Sequence, residues 1–331
     1  MELLITDMRG QQWDNFVAEQ GGLLFDTSDW LTVLEKGLGG DVYHLVFKRD
    51  GQIVGGLAGV LLRYCGIRLF YSGLPYGGYL GEQGEFDRFM KACLSAQLAD
   101  IFYLTPIVEN AESGYREHFA VAPEMMTRID LRGKNLAEIE KGYDRSVRQS
   151  LNKGARLDLA VERCRDRESF DIAYRLYLQT MNRNEGIARY GAEWFSALYE
   201  ILATDGTASV YLVRHDQVPV SATVVLDSGE SVYLLHSGSD AKKLHLRAND
   251  LVVCRIVEDA LASKKSWVDL MLSDPGDVKL IRWKEKFGGQ SVQVNKYRRV
   301  NNRAKYLLWN GAKRAYPLLS RLRRSLGAVS S

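Results

Sequence analysis

Residues 42–62, VYHLVFKRDGQIVGGLAGVLL, decide the fold once they are laid beside residues 209–226, SVYLVRHDQVPVSATVVL. Asp50 falls on Asp216, Val54 on Val220, and Gly55-Gly56 on Ser221-Ala222. Each stretch reads as a strand, a tight turn at the aspartate and a second strand that begins with small residues, the pattern of a β-hairpin. Amphipathic helical regions precede both (WDNFVAEQGG with WLTVLEKGLG; ESFDIAYRLYLQTMNRNEG with AEWFSALYEILA). A strand follows each (IRLFYSGL; SVYLLHSG), then a helix (EFDRFMKACLSAQLA; NDLVVCRIVEDALASKK), then a strand (DIFYLTPIV; SWVDLMLS). Single hairpins resemble one another by chance in any mixed α/β chain, but the repeated order of whole elements predicts a tandem repeat. The expected units are 1–137, 138–300 and a tail, 301–331, with the boundary near the basic helix EIEKGYDRSVRQSLNKGARLDL at 138–159.

The 331 residues, 46% of them hydrophobic, suit about two domains of ordinary size. No run reaches the roughly 18 uncharged apolar residues of a membrane-spanning helix, and MELLITDMRG carries acids where a signal peptide would be basic, so a cytoplasmic protein is expected. Cys65, Cys93, Cys164 and Cys254 are scattered, with no C-x-x-C pair, and read as reduced fillers; no metal site is expected. G-x-S-x-G, H-E-x-x-H, Walker and G-x-G-x-x-G patterns are absent, which removes support for hydrolase, zinc protease, nucleotidase and dehydrogenase readings. The net charge of +3 is uneven. Beyond Lys286 stand ten bases and no acid; of the 44 bases, 34 remain against 41 acids, so the body is acidic and the positive excess lies at the C-terminal end.

The repeated mixed sheet with helices behind it resembles the GNAT acyltransferase fold, and two copies in one chain resemble the FemAB group of peptidoglycan-bridge aminoacyltransferases and their relatives. The motifs are SGLPYGGYLG (72–81), MTRIDLRG followed by DRSVRQSLNKGARLDL, MNRNEG (181–186) and WVDLMLSDPGDVKLIRWKEKFGG, the last similar to the group's aspartate strand, serine, short loop and Phe-Lys-x-x-Phe-Gly. Here Trp283 stands for the usual Phe and Ala248 for a frequent Pro. The resemblance implies an α/β (α+β) fold of two GNAT-like domains, each a mixed, mostly antiparallel sheet flanked by helices, the second catalytic. It implies an N-acyltransferase acting on an amine, an amino sugar or peptide amine, of a cell-envelope or polysaccharide precursor. No cofactor is expected to be tightly bound. The acyl donor would be acyl-CoA, acyl-carrier protein or aminoacyl-tRNA, making tRNA a possible partner. Where acyl-CoA enzymes of this fold carry a glycine-rich pyrophosphate loop, this chain has SDAKKLHLRAND (239–250), without glycine. That departure supports a rival reading, a non-catalytic GNAT-like scaffold for polysaccharide assembly.

Amide-forming transfer passes through an anionic tetrahedral intermediate, which a fixed cation stabilises. Lys284, between Trp283 and Phe287, is the candidate; it could equally hold an acceptor phosphate or sit on the solvent face of a short helix. Asp269 and Ser273 are expected on one face of a strand, Asp269 orienting the attacking amine or accepting its proton, or else simply bonded to backbone amides. Arg145 and Arg148 should share a helix face and Lys153 start a turn at Gly154, a grouping for phosphate or an ordinary solvated face. Tyr76 and Tyr79 flank Gly77-Gly78 and could stack on an acceptor sugar or pack a structural turn. His236, ending the strand VYLLH, and Arg183 complete the candidate binding residues; a strand-end histidine is also commonly a packed one.

In the tail, Tyr306, Leu307, Leu308, Trp309, Tyr316, Leu318, Leu319, Leu322 and Leu326 stand among seven bases. This mix suits a helix lying on the inner membrane surface over 303–326, broken at Pro317. A helix packed on the second half and an RNA contact are the other readings.

Overall fold

The computed structural model describes residues 2–107, 112–184, 188–313 and 315. Its elements form two matching series. The first is β1 (Leu3–Thr6), α1 (Gln11–Glu19), α2 (Ser28–Leu38), β2 (Asp41–Arg49), β3 (Gln52–Tyr64), β4 (Ile67–Ser72), the short β5 (Leu80–Gly81), α3 (Phe86–Ser95), β6 (Ile101–Leu104), α4 (Glu112–His118) and β7 (Ala120–Asp130). Two helices follow, α5 (Leu136–Lys141) and α6 (Arg145–Arg156). The second series is β8 (Val161–Cys164), α7 (Arg167–Arg183), α8 (Ala192–Ala197), β9 (Ala208–His215), β10 (Val218–Ser228), β11 (Ser231–Ser239), α9 (Ala248–Ala262), β12 (Trp267–Ser273), α10 (Val278–Glu285) and β13 (Gln290–Val300). Residues 303–313 are helical. Local chemistry sets these limits: Thr27 caps α2 by accepting from the Trp30 amide, Gly39 ends it at φ 67°, and Asp166 caps α7 through Ser169.

Both expected hairpins form. Asp50-Gly51 and Asp216-Gln217 have positive φ at both central residues (51° and 83°; 53° and 64°), the turn whose twist matches the flanking strands. All strands join one 13-stranded sheet, in the order β1-β2-β3-β4-β6-β13-β7-β12-β11-β10-β9-β8, with β5 beside β3. Among the described residues only β4 with β6 and β11 with β12 are parallel. The order reads the same from either end once each first-series strand is exchanged for its second-series counterpart, except that the last strands have crossed over. β13 pairs with β6, and β7 pairs with β12. Each series therefore completes the other's sheet.

On the sheet's inner face α2 packs against α8, which packs in turn against α7, and α1 contributes to the same core. Trp13, Phe25, Trp30 and Trp194 are buried there, Trp30 edge-on to Trp194 at 5.7 Å. On the outer face, Phe70, Phe89 and Phe102 pack in the first half, and Val147, Val252 and Ile256 in the second. Among the described residues no helix is long and apolar enough to cross a membrane.

Three local expectations are corrected. Helix α6 continues through Gly154 to Arg156, so Lys153 starts no turn; Gly154 is buried where the Leu251 side chain leaves no room for a Cβ. Strand β11 continues past His236 to Ser239. Asp269 and Ser273 do not share a face, because β12 bulges between them: Asp269 lies opposite Arg128, but Leu272 opposite Met126 and Ser273 opposite Met125. The extra residue reverses the alternation. Residues 185–187, which include the end of MNRNEG, and the part of the expected membrane segment beyond Ala315, with Pro317, lie outside the described residues.

Candidate active site

The parallel pairing of β11 and β12 runs from Ser231↔Trp267 to Tyr233↔Asp269. Beyond it β11 follows β10, carrying its own bulge where Val224 pairs with His236 and Val225 with Leu234, while β12 bends away at Met271, whose φ is 66°. An unbranched residue in the left-handed region, beside a bulge, marks a place where surrounding structure holds the backbone against its preference.

The opening is filled by charge. Asp269, fully buried, accepts from the Tyr76 hydroxyl at 3.1 and 3.2 Å, from Arg128 Nε at 2.9 Å and from the Met271 amide at 2.7 Å. Lys284, 5% exposed, extends from α10 and donates from Nζ to the carbonyls of Met271 at 2.8 Å and Leu272 at 3.0 Å. It is not on a solvent face. Burial lowers its pKa to about 8 against the opposing pull of Asp269 and Asp277. Burial also raises the Asp269 carboxyl above its usual range, with Arg128 the strongest opposing influence. The Tyr76 hydroxyl is pushed well up by burial and then by the Asp269 charge, so it stays a donor. Tyr76 reaches the carboxylate from a loop in which Gly73, at φ 58°, and Gly77 let the chain fold onto itself; a Cβ on either would strike loop backbone. Tyr76 and Arg128 precede residue 138 and Asp269 and Lys284 follow it, so the cluster straddles the two halves.

Next to it, α10 also carries Trp283, which lines a cavity of about 350 Å³ between α9, the N-terminus of α6 and the ends of β10 and β11. Lys243, Arg247 and Lys286 bring cations to its wall, with Ser239 and Asn249. The glycine-free segment solves its turn with Arg247, which takes φ 55° just before α9. Asp250, in the first turn of α9, accepts from Lys286 Nζ at 2.7 Å, Ser150 Oγ at 2.8 Å and Trp283 Nε1 at 3.3 Å. The cavity wall therefore presents side-chain cations in place of a bare nest of backbone amides.

The structure brings together Lys284, Asp269 and Tyr76, with Trp283 on the adjoining wall. Arg183 Nη1 lies 3.4 Å from the carbonyl of Ser239, at the cavity edge. Lys153 donates to the His245 carbonyl at 2.7 Å and Arg148 to that of Tyr143 at 2.6 Å, and both Arg148 and Arg145 are exposed on α6. Tyr79 turns away from the cluster, packing against Phe86 and Phe89 and donating to the Glu82 carbonyl. His236 accepts from Trp194 Nε1 at 2.9 Å amid Tyr177, Tyr190 and Phe195, and burial lowers its pKa to about 3. The Ser273 hydroxyl is buried without a hydrogen-bond partner. Sequence reasoning missed Arg128, a base near the end of β7 within MTRIDLRG. It also passed over Lys243, Arg247 and Lys286, two of them inside the glycine-free segment 239–250.

Residues 141–285 match the family described as acetyltransferase (GNAT) domain. No curated protein matches the chain. Among solved structures it is similar to FemX (TM-score 0.70, 16% identity, 92% of this chain and 99% of that one). It is also similar to L-PGS from Bacillus licheniformis (0.57, 12%, 91% and 96%) and to a tandem GNAT protein from the clavulanic acid biosynthesis pathway (0.59, 12%, 91% and 99%). Residues 141–285 are thus a GNAT acyltransferase domain, and the two crossed-over series around it have the tandem fold seen in FemX and in the tandem GNAT protein.

Proposed function

We propose that the protein moves an acyl or aminoacyl group from a phosphate-bearing carrier to the amine of a cell-envelope or polysaccharide precursor, an amino sugar or a peptide amine, with residues 138–300 as the catalytic unit. The observation that carries the reading is the ammonium of Lys284, fixed where β11 and β12 part and one residue from the wall of a basic cavity. The cavity suits the phosphates of the carrier, whether coenzyme A, acyl-carrier protein or a charged tRNA; Lys243, Arg247 and Lys286 would hold them. The acceptor's nitrogen attacks the acyl carbonyl, the carbonyl oxygen takes the negative charge, and collapse forms the amide and releases the carrier's thiol or hydroxyl. Lys284 supplies the positive field for that oxygen, in surroundings where the field is little screened. Asp269, enclosed by four internal hydrogen bonds, acts as a positioning residue: it holds Tyr76, Arg128 and the bulge whose carbonyls hold Lys284.

The test is a mass-spectrometric transfer assay offering acyl-CoAs, acyl-carrier protein and charged tRNAs with nucleotide-linked and lipid-linked amino sugars, run on wild type and Lys284→Met. A new amide formed by wild type alone supports the reading. Equal yields from both remove Lys284 from the chemistry, and no amide from any pair refutes the transfer.

A further inference from the structure

The helix at 303–313 leaves β13 and returns over the first half, not the second. Tyr306 and Trp309 pack on Ile67, Leu69, Ile101 and Tyr103. Trp309 stacks on Tyr64 with centroids 5.5 Å apart and planes at 20°, Lys305 Nζ donates to Asp100 at 3.0 Å and to the Gly66 carbonyl at 2.8 Å, and Arg298 lies over the Tyr306 ring at 4.8 Å. These contacts fix how the helix is rotated, and so what it shows to the outside.

The outward face is apolar. Ala304, Leu307, Leu308, Gly311 and Ala312 are all exposed, and Leu307 and Leu308, at 69% and 67%, are the most exposed large hydrophobic side chains among the described residues; the next, Val218, stands at 51%. A helix lying on a domain surface normally turns its polar side outward. Here the inner stripe is spent on the sheet and a second apolar stripe faces away, with exposed Arg303 at its start, while exposed Lys313, at the far end of the helix, lies over the Trp309 ring at 5.2 Å. Residues 301–331 hold seven bases and no acid. Whatever covers the leucines must therefore be apolar at the centre and anionic at the rim. A second copy would bring the same bases against these ones, and a nucleic acid would have no use for a leucine pair.

We propose that this face, Leu307 and Leu308 with Arg303 and Lys313, docks on an anionic lipid surface, with the leucines in the acyl boundary and the bases among headgroups. The exposed Tyr64, stacked beside it, extends the aromatic rim. Docking does not depend on the transferase reading, and its test uses no substrate.

The full chain would be sedimented with vesicles of phosphatidylcholine, with and without phosphatidylglycerol, as wild type, as Leu307→Asp/Leu308→Asp and as Arg303→Gln/Lys313→Gln. Wild type should partition onto the anionic vesicles and be released by salt; the leucine pair variant should lose roughly tenfold or more, as expected for two leucines no longer buried. The base variant should lose less and keep only the salt-insensitive part. Since both leucines face outward, the leucine variant should melt like wild type. Failure of wild type to bind anionic vesicles, or equal partition of wild type and the leucine variant, overturns the proposal. So does a wild-type dimer that the leucine substitutions dissociate, which would assign the face to a second copy.

Discussion

Lys284→Met separates the electrostatic role of the lysine from its packing. The drop of its pKa from 10.5 to about 8 means that the fold disfavours the ammonium by about 3 kcal/mol. That cost is present in full below pH 8 and fades as the pH rises from 8 to 10.5, where the unfolded chain still binds the proton and the folded chain has released it. The wild type should therefore gain about 3 kcal/mol of stability relative to Lys284→Met across that interval. At pH 7, methionine removes the buried charge but leaves the carbonyls of Met271 and Leu272 without their donor, at about 1–3 kcal/mol each, so the two proteins should lie within about 3 kcal/mol of one another. Urea unfolding at several pH values from 7 to 10.5 measures both numbers.

Activity should part from stability. Removing one preorganised charge at a developing oxyanion typically lowers kcat by about 100- to 1000-fold, far more than a stability difference of this size would. Because the protonated lysine does the work, wild-type kcat/KM should carry a falling limb near pH 8 that Lys284→Met lacks. Parallel stability curves would refute the burial argument. A variant that keeps wild-type kcat would refute the catalytic role and leave Lys284 as a brace for the bulge.

Asp269→Asn should destabilise by roughly 2–4 kcal/mol, because Arg128 and Lys284 lose their buried counter-charge, while Tyr76→Phe should cost about 1 kcal/mol; urea midpoints at constant slope would check both. Lys243→Ala and Arg247→Ala should raise KM for the carrier about tenfold with kcat nearly unchanged, and a fall in kcat at constant KM would place them at the reacting group instead. Acid should weaken the fold, since His236 and His44 are held neutral down to about pH 3 and 4 and the unfolded chain takes up protons below 6.5. His236→Gln should remove a share of that slope, up to about 3 kcal/mol once its partial exposure is allowed for, and thermal melts from pH 7 to 4 that match wild type would contradict it.

The repeated order of elements was legible because hairpin turns and hydrophobic periods are local signals. Asp50-Gly51 and Asp216-Gln217 announce their turns, and the helices on either side carry their caps with them. The crossing of β7 and β13 was not legible, since nothing in either strand says which neighbour it will choose. The same limit governs the site. Lys284 and Asp269 could be picked out from one motif, but Arg128 stands 141 residues from Asp269 along the chain and Tyr76 stands 193, so no spacing links them. The bulge at Met271 is not legible either, because WVDLMLS holds no glycine to mark the break in its alternation. Tyr79 shows the converse error: a tyrosine beside glycines looked ready for a sugar, when its ring completes the core around Phe86 and Phe89.

The exchange of last strands gives the site its place. Had each series kept its own final strand next to its penultimate one, β12 would lie against β13, and Arg128 would stand on the far side of the sheet's centre from Asp269. With β7 inserted at β12, the guanidinium faces the carboxylate directly in register. That ion pair, with the Tyr76 hydroxyl, shields a charge which could not otherwise remain buried at the sheet's middle. The first half thus supplies to the second what the second lacks: a partner strand for β12, a counter-charge and a hydroxyl. In return β13 gives β6 its neighbour. The GNAT-matched segment, residues 141–285, includes Asp269 and Lys284 but neither Arg128 nor Tyr76. The smallest unit that can hold Lys284 as the structure holds it is therefore longer than that segment and reaches back to the loop at Tyr76. The two series share one design, and the crossing-over joins them into a single sheet with a buried charge cluster at its seam.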